Sequence, residues 1–397
     1  MTLRQLKAVY YGLTALNTVA QAYSLYYLFF YLRDRYGFGN RGNLSVAALH
    51  GGVYIFAAWL GGRFAQRRGY LTALATGFGG LAVCTLVAAF ARTPGVQVAL
   101  LVPYTLALLC IWPALEALVT DHEPSRRIPH MVGLYNLTWS LSTTAAYFTG
   151  GSLYDAMGTG AVFYVPAAIF AAECVFVWWL RPRAARVVEA LPPLPPEPPH
   201  HPDARASRQR VPPAAFLQLA WIANPFAYMA MYTVLAVMPD LAQRLGLSPT
   251  RVGLFCSVWM FSRVAAFGLL WGWTGWHYRF RWMAAAFVTI IASFAAILLA
   301  PSLEIIVVAQ VFFGLAAGLI YYSSLFYAMD ASDAKGEHGG LHEAAIGIGI
   351  CAGPAIGALS LQIWPDVPHA NALAVSGLLL VGFVWLTVQW TRAWQPE

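Results

Sequence analysis

Residues 282–300 read WMAAAFVTIIASFAAILLA, nineteen positions without a charge. Wound as a helix at 1.5 Å per residue, such a run reaches across a hydrocarbon layer of roughly 30 Å. Working outward, comparable runs fall at about 8–32, 44–61, 70–91, 96–119, 128–150, 160–180, 214–239, 250–271, 303–329, 340–363 and 370–391. One buried core could not absorb them all. Of the 397 residues, 59% are hydrophobic and 10% charged, against roughly 25% charged in an ordinary soluble domain. The pattern predicts an all-α membrane protein of twelve transmembrane helices.

Charge placement predicts the topology. With the N-terminus inside, 17 Lys and Arg residues fall in one set of loops and six in the other. By the positive-inside rule both termini are then cytoplasmic, in a cell inner membrane. The net charge of +7 is scattered over these short loops without a basic stripe, which argues against nucleic acid as a partner. The lipid bilayer is the expected partner, and the chain is expected to be a monomer. The five cysteines all lie inside apolar runs without metal-ligand spacing and read as packing residues. The first run, Ala8 to Leu32, exceeds a signal core and is expected to stay as the first helix.

Between the sixth and seventh runs, Arg181 to Pro213 includes LPPLPPEPPHHP at 191–202, a composition that favours extended segments over a packed core. The expected organisation is a six-helix bundle over 1–180, a proline-rich cytoplasmic linker over 181–213 and a second six-helix bundle over 214–397. Sliding the sequence by 209 positions sets Arg35-Tyr-Gly-Phe on Arg244-Leu-Gly-Leu, and it sets Asp121 on Asp330 and Arg126 on Lys335. Two related halves of this size are the plan of transporters that rock about a central site.

The loop after the second run, Gly61-Gly-Arg-Phe-Ala-Gln-Arg-Arg-Gly-Tyr, resembles the signature of the major facilitator superfamily, and the resemblance extends over nearly the whole chain. Gly62, Gln66, Arg67, Arg68 and Gly69 match the motif, except that Gln66 stands where the family usually has aspartate. The resemblance implies two pseudo-symmetric six-helix bundles. The counterpart Gly272-Trp-Thr-Gly-Trp-His-Tyr-Arg-Phe-Arg keeps only glycines and basic residues. In the eleventh run, Gly349, Gly353 and Gly357 stand four apart around Pro354, a spacing that lets helix backbones approach while the proline adds a bend. The family's antiporter motif has this look but sits in the fifth helix, so nothing here marks an antiporter.

Ionisable groups within spans are costly and usually functional. Arg263, midway along the eighth run, is the expected counter-ion for an anionic group. Glu116, His338, His342 and Glu343 are the candidate proton-coupling or gate residues, with loop pairing and helix capping as the alternatives. The two histidines are four apart, but no third ligand is identifiable and no metal or cofactor is expected. Polar and aromatic stripes at three- or four-residue spacing complete the candidate substrate site. They comprise Asn17, Gln21, Trp112, Asn136, Trp139, Asn224, Tyr228, Tyr321 and Tyr322, with helix-helix hydrogen bonding as the alternative for each. Together they suit a sugar, nucleoside or other polar organic solute.

The expectation is a secondary transporter working by alternating access on a small solute, driven by protons through the acidic and histidine groups. No nucleotide-binding glycine loop of the G-x-x-x-x-G-K-[ST] type is present in the sequence, which disfavours a primary pump. Competing readings are a membrane-embedded enzyme on a lipid-linked substrate and a transporter-like sensor signalling through the linker.

Overall fold

The computed structural model describes residues 1–124, 127–192, 211–330 and 335–393, the side chains of 329 and 335–341 excepted. Regular structure among them is helical throughout. It comprises α1 (Leu3–Tyr36), α2 (Asn40–Arg68), α3 (Tyr70–Phe90), α4 (Pro94–Leu108), α5 (Trp112–Thr120), α6 (Ile128–Met157) and α7 (Ala161–Glu189). There follow α8 (Pro213–Arg244), α9 (Pro249–Phe255), α10 (Val258–Gly272), α11 (Phe280–Leu299), α12 (Leu303–Asp330), α13 (Lys335–Ile363) and α14 (Ala370–Ala393). Ten helices are long and apolar enough to cross a membrane, α4 with α5 and α9 with α10 each counting as one. The other two long helices, α1 and α6, carry the polar stripes of Asn17 and Asn136 and are less apolar.

Helix ends follow local chemistry. Thr93 and Ser248 accept from the backbone N–H of Val96 and Arg251, each followed by a proline in the first turn, the usual N-terminal pairing of a hydroxyl cap with a proline that has no N–H to lose. Gly37 and Gly246, which the offset of 209 superposes, both take left-handed backbone, with φ of 71° and 64°. The matched loops thus share a turn that favours glycine. Past position 180 the chain stays helical to Glu189 despite Pro182, so the expected linker begins as an extension of α7. Residues 193–210, its proline-rich part, lie outside the described residues.

Contacts divide the chain into two compact units. The first is Met1–Tyr31 with Phe56–Pro199, and the second is Leu32–Ile55 with His200–Glu397. The first half of α2 therefore belongs to the second unit.

In the first unit, α3 packs against α7 and α4. A side chain at Gly61 would strike the Leu109 carbonyl, and one at Gly77 would strike Ile111 and Ala107. Lys7 is 5% exposed, and its Nζ donates to the carbonyls of Leu118, at 2.9 Å, Val119, at 3.1 Å, and Asp121. These carbonyls end α5 and have no partner within it, so a cation there is favoured twice, by hydrogen bonding and by the helix dipole. Burial pulls the Lys7 ammonium below its ordinary pKa, opposed by the charges of Glu123 and Asp121.

In the second unit, α8 is buried along most of its length. The expected role of the α13 glycines holds, since a Cβ at Gly349 would meet the Pro225 carbonyl and one at Gly353 would meet Met229, both on α8. Gly51 sets α2 against the backbone of Ile350 and Cys351 on α13, and Gly314 sets α12 against the Trp259 carbonyl of α10. Without lipid-independent hydrophobic drive, such close approach is a main source of cohesion between membrane helices.

Candidate functional site

The loop matching the family signature ends α2. Gln66, Arg67, Arg68 and Gly69 are exposed and Gly62 is half-buried, with Gly69 at φ 88° turning the chain into α3. Arg63 lies over the Trp59 ring at 3.9 Å. In the second half, the aromatic residues of the counterpart loop carry its anchoring. Trp276 and Tyr278 are buried, the Tyr278 N–H donates to Tyr327 Oη at 3.0 Å, and the Tyr278 hydroxyl donates to Asp330 at 2.5 Å.

The second unit gathers most of the expected site, together with two residues the sequence reading passed over. The Tyr54 hydroxyl donates to Glu343 Oε2 at 2.5 Å, joining α2 to α13. One turn from Tyr54, His50 stacks on Tyr232 with centroids 6.3 Å apart. Tyr232 stacks on Tyr228 at 6.4 Å, and Tyr228 meets Tyr321 at 6.3 Å. Tyr321 lies 5.5 Å from the His342 ring, whose Nδ1 is 3.1 Å from Ser324 Oγ. Since His342 and Glu343 are adjacent, the contacts close a ring of polar and aromatic groups drawn from α2, α8, α12 and α13. His342 is 4% exposed, and its Nε2 has no hydrogen-bond partner among the described residues. Such a ring offers π faces, a carboxyl oxygen and an imidazole nitrogen to a solute.

Arg263 is 4% exposed on α10. Its Nη1 lies 3.7 Å from Met231 Sδ of α8, its guanidinium carbon 5.2 Å from the Trp259 ring, and its stem beside Gly318 of α12. One turn along each helix come Phe267, Tyr228 and Tyr321, the first and last with centroids 5.6 Å apart. Tyr322 also packs on Phe267, at 5.9 Å. Asn224, another α8 residue, is fully buried, and neither of its amide heteroatoms has a partner among the described residues.

The first unit holds the rest. Asn17 is fully buried on α1, likewise with both amide heteroatoms unpartnered. Asn136 is satisfied within α6, where the Trp139 indole donates to its Oδ1 at 2.9 Å. This bond lies within one helix and so differs from the helix-helix hydrogen bonding given as the alternative. Gln21, Trp112 and Glu116 are half-buried. Arg126, an expected partner of Glu116, and the side chain of His338 lie outside the described residues.

Glu173, His50 and Tyr54 are the residues the sequence reading missed. Glu173 is the one charged residue of its apolar run and His50 the one ionisable imidazole of a run it shares with Tyr54, and that was the available signal.

A family model described as Major Facilitator Superfamily matches residues 12–223 and 220–396. No curated protein matches the sequence. Among solved structures, the nucleoside transporter NupG superposes at TM-score 0.71 with 14% identity, covering 97% of this chain and 99% of that one. A bacterial homologue of the human lysosomal transporter Spinster, inward-facing and unoccupied, gives 0.68 at 12% identity, covering 99% and 96%. The human organic anion transporter MFSD10 (TETRAN) gives 0.66 at 16%, covering 97% and 100%. At such identities the likeness is one of fold.

Proposed function

We infer the following from the premise that the chain belongs to the major facilitator superfamily. It is a transporter and not an enzyme, and its cargo is a small polar organic solute with a planar face, a nucleoside first among them. It is a secondary transporter that moves this solute by alternating access, driven by protons, in an inner membrane with both termini cytoplasmic. Twelve spans in two six-helix bundles are the arrangement this reading uses.

The observation that carries it is the ring running from Tyr54 and Glu343 through His342, Tyr321, Tyr228 and Tyr232 to His50. A nucleobase can stack on tyrosine, while sugar hydroxyls can donate to Glu343 and accept from tyrosine hydroxyls. NupG, a nucleoside transporter, shares the fold, which supports testing that class first. Glu343 and His342 are the proposed coupling groups, because a solute that takes over the Tyr54 hydrogen bond changes how readily the carboxyl holds a proton. Asn17 and Asn224, in the first helix of each half, offer amides that have no partner among the described residues. The Arg263 cation favours a second reading, an organic anion.

Purified protein in proteoliposomes is expected to take up labelled uridine saturably, with accumulation raised by an inward proton gradient. E343Q is expected to bind and exchange uridine while losing gradient-driven accumulation. Full retention of the gradient effect in E343Q removes the coupling role. Uptake of an aromatic carboxylate with no nucleoside uptake replaces the first reading by the second.

A further inference from the structure

Glu173 lies near the middle of α7 (Ala161–Glu189), 2% exposed. Neither carboxyl oxygen has a hydrogen-bond partner among the described residues. The polar group beside it is the backbone of Asn17 on α1, and the Asn17 side chain is itself fully buried with Oδ1 and Nδ2 unpartnered. Two helices of the first unit thus meet where a buried acid lies against the Asn17 backbone, and the carboxyl and the Asn17 side chain are each without a side-chain partner among the described residues. One unpaired polar group so placed costs roughly 2–7 kcal/mol, and an unpaired carboxylate far more. A leucine at 173 would carry no such cost, so the acid points to a function.

Among the described residues no opposite charge is at hand. Of the helices against α7, α3 has no charged side chain, and its titratable residues are Tyr70 and Cys84. On α1, Lys7 is committed to the α5 carbonyls ten positions before Asn17. On α6, His130 and Asp155 sit near the two ends. Within α7, Arg181 is two turns on, where its Nη2 donates to Thr72 at 3.1 Å.

We propose that Glu173, with the Asn17 backbone beside it, is a proton-binding site of the first unit that loads and releases one proton in each transport cycle. The ligand is a proton because nothing around the acid supplies the oxygen cage a metal ion needs. The proton adds to one carboxyl oxygen, leaving a neutral acid that the apolar packing can hold without a counter-charge. Release leaves a carboxylate that the packed state cannot hold dry, so α1 and α7 must let water reach it. Loading is thereby tied to the closed packing of α1 on α7. This rests on the proton-driven reading above and adds a second site to the one at Glu343.

The test is steady-state solute accumulation in proteoliposomes under a one-unit pH gradient, with solute counterflow at equal pH as the control for folding. Each coupled proton multiplies the accumulation ratio by about ten per pH unit. E173Q, which cannot bind or lose a proton, is expected to keep counterflow within about twofold while accumulation falls about tenfold; E173D keeps a proton acceptor and keeps accumulation. Wild-type accumulation in E173Q, or equal impairment of E173Q and E173D, overturns the proposal. Infrared spectroscopy needs neither solute nor gradient. One component of the protonated-carboxyl band of the wild-type protein at neutral pH is expected to be lost in E173Q, to shift in E173D and to persist in E343Q. Its presence without pH-driven transport sinks the driven reading alone, and its absence from the wild type sinks this one.

Discussion

Arg263→Met is expected to lower solute flux in proteoliposomes roughly 10- to 100-fold, the range spanned by one charge-assisted hydrogen bond of about 1.5–3 kcal/mol. Methionine keeps most of the side-chain volume against Met231, Trp259 and Gly318 and deletes only the charge. Thermal stability should hold or rise, because a buried cation replaced by a well-packed apolar side chain no longer bears its desolvation cost. A structural ion would behave in the opposite way, with stability falling and flux per folded molecule unchanged. The size of the loss also separates the two cargo readings. A guanidinium facing a base carbonyl contributes at the low end of that range, and one facing a carboxylate at the high end. Wild-type flux in Arg263→Met withdraws the residue from the site.

What could be read without coordinates divides along a physical line. An apolar run such as 282–300 can end up only in lipid or in a core, so α11 was legible from composition alone. The left-handed turns at Gly37 and Gly246 were legible through the repeat, since the same local chemistry recurs at a fixed offset. The close approach at Gly349 and Gly353 followed from small residues four apart. The facing of single polar residues was not legible, because it depends on how each helix is rotated against its neighbours. Asn136 and Trp139 had the right spacing for a cavity stripe and instead satisfy each other along α6. His50 and Tyr54 sat unnoticed in an apolar run until α2 was placed on α13, where Tyr54 meets Glu343. Glu173 was the strongest signal passed over, a carboxyl in the middle of a span.

The same line explains the signature loops. Gln66 departs from the aspartate the family usually has, and in this structure it is exposed at the end of α2. The fixing of the first unit at this end falls to a different residue, Lys7, which binds the end of α5. In the second half the equivalent fixing is aromatic, through Trp276 and Tyr278 on the end of α12. In each half a contact outside the signature residues, Lys7 on α5 and Tyr278 on α12, ties neighbouring elements together near that loop.

Gly51→Leu is expected to remove folded, transporting protein altogether. Even a single Cβ at this position would overlap the Cys351 backbone nitrogen and the Ile350 carbonyl carbon, and backbone atoms give way only if the helices part. Overpacking of a tight interior costs about 1–3 kcal/mol where side chains can rearrange; here they cannot, so alanine already belongs at the upper end and leucine beyond it. The neighbouring glycine is the control. A Cβ at Gly52 meets only the Cys351 sulfur, at 3.8 Å, so Gly52→Ala is expected to be neutral or to stabilise α2 by up to about 1 kcal/mol through helix propensity. The measurement is the melting temperature and monodispersity of the detergent-purified variants, with uridine counterflow beside them. Because α2 carries His50 and Tyr54 to their partners, separating it from α13 also breaks the Tyr54–Glu343 hydrogen bond and opens the ring of polar groups. Gly51→Ala should therefore lose counterflow more steeply than stability, whereas equal behaviour of Gly51→Ala and Gly52→Ala would show that the α2–α13 contact does not hold the site together.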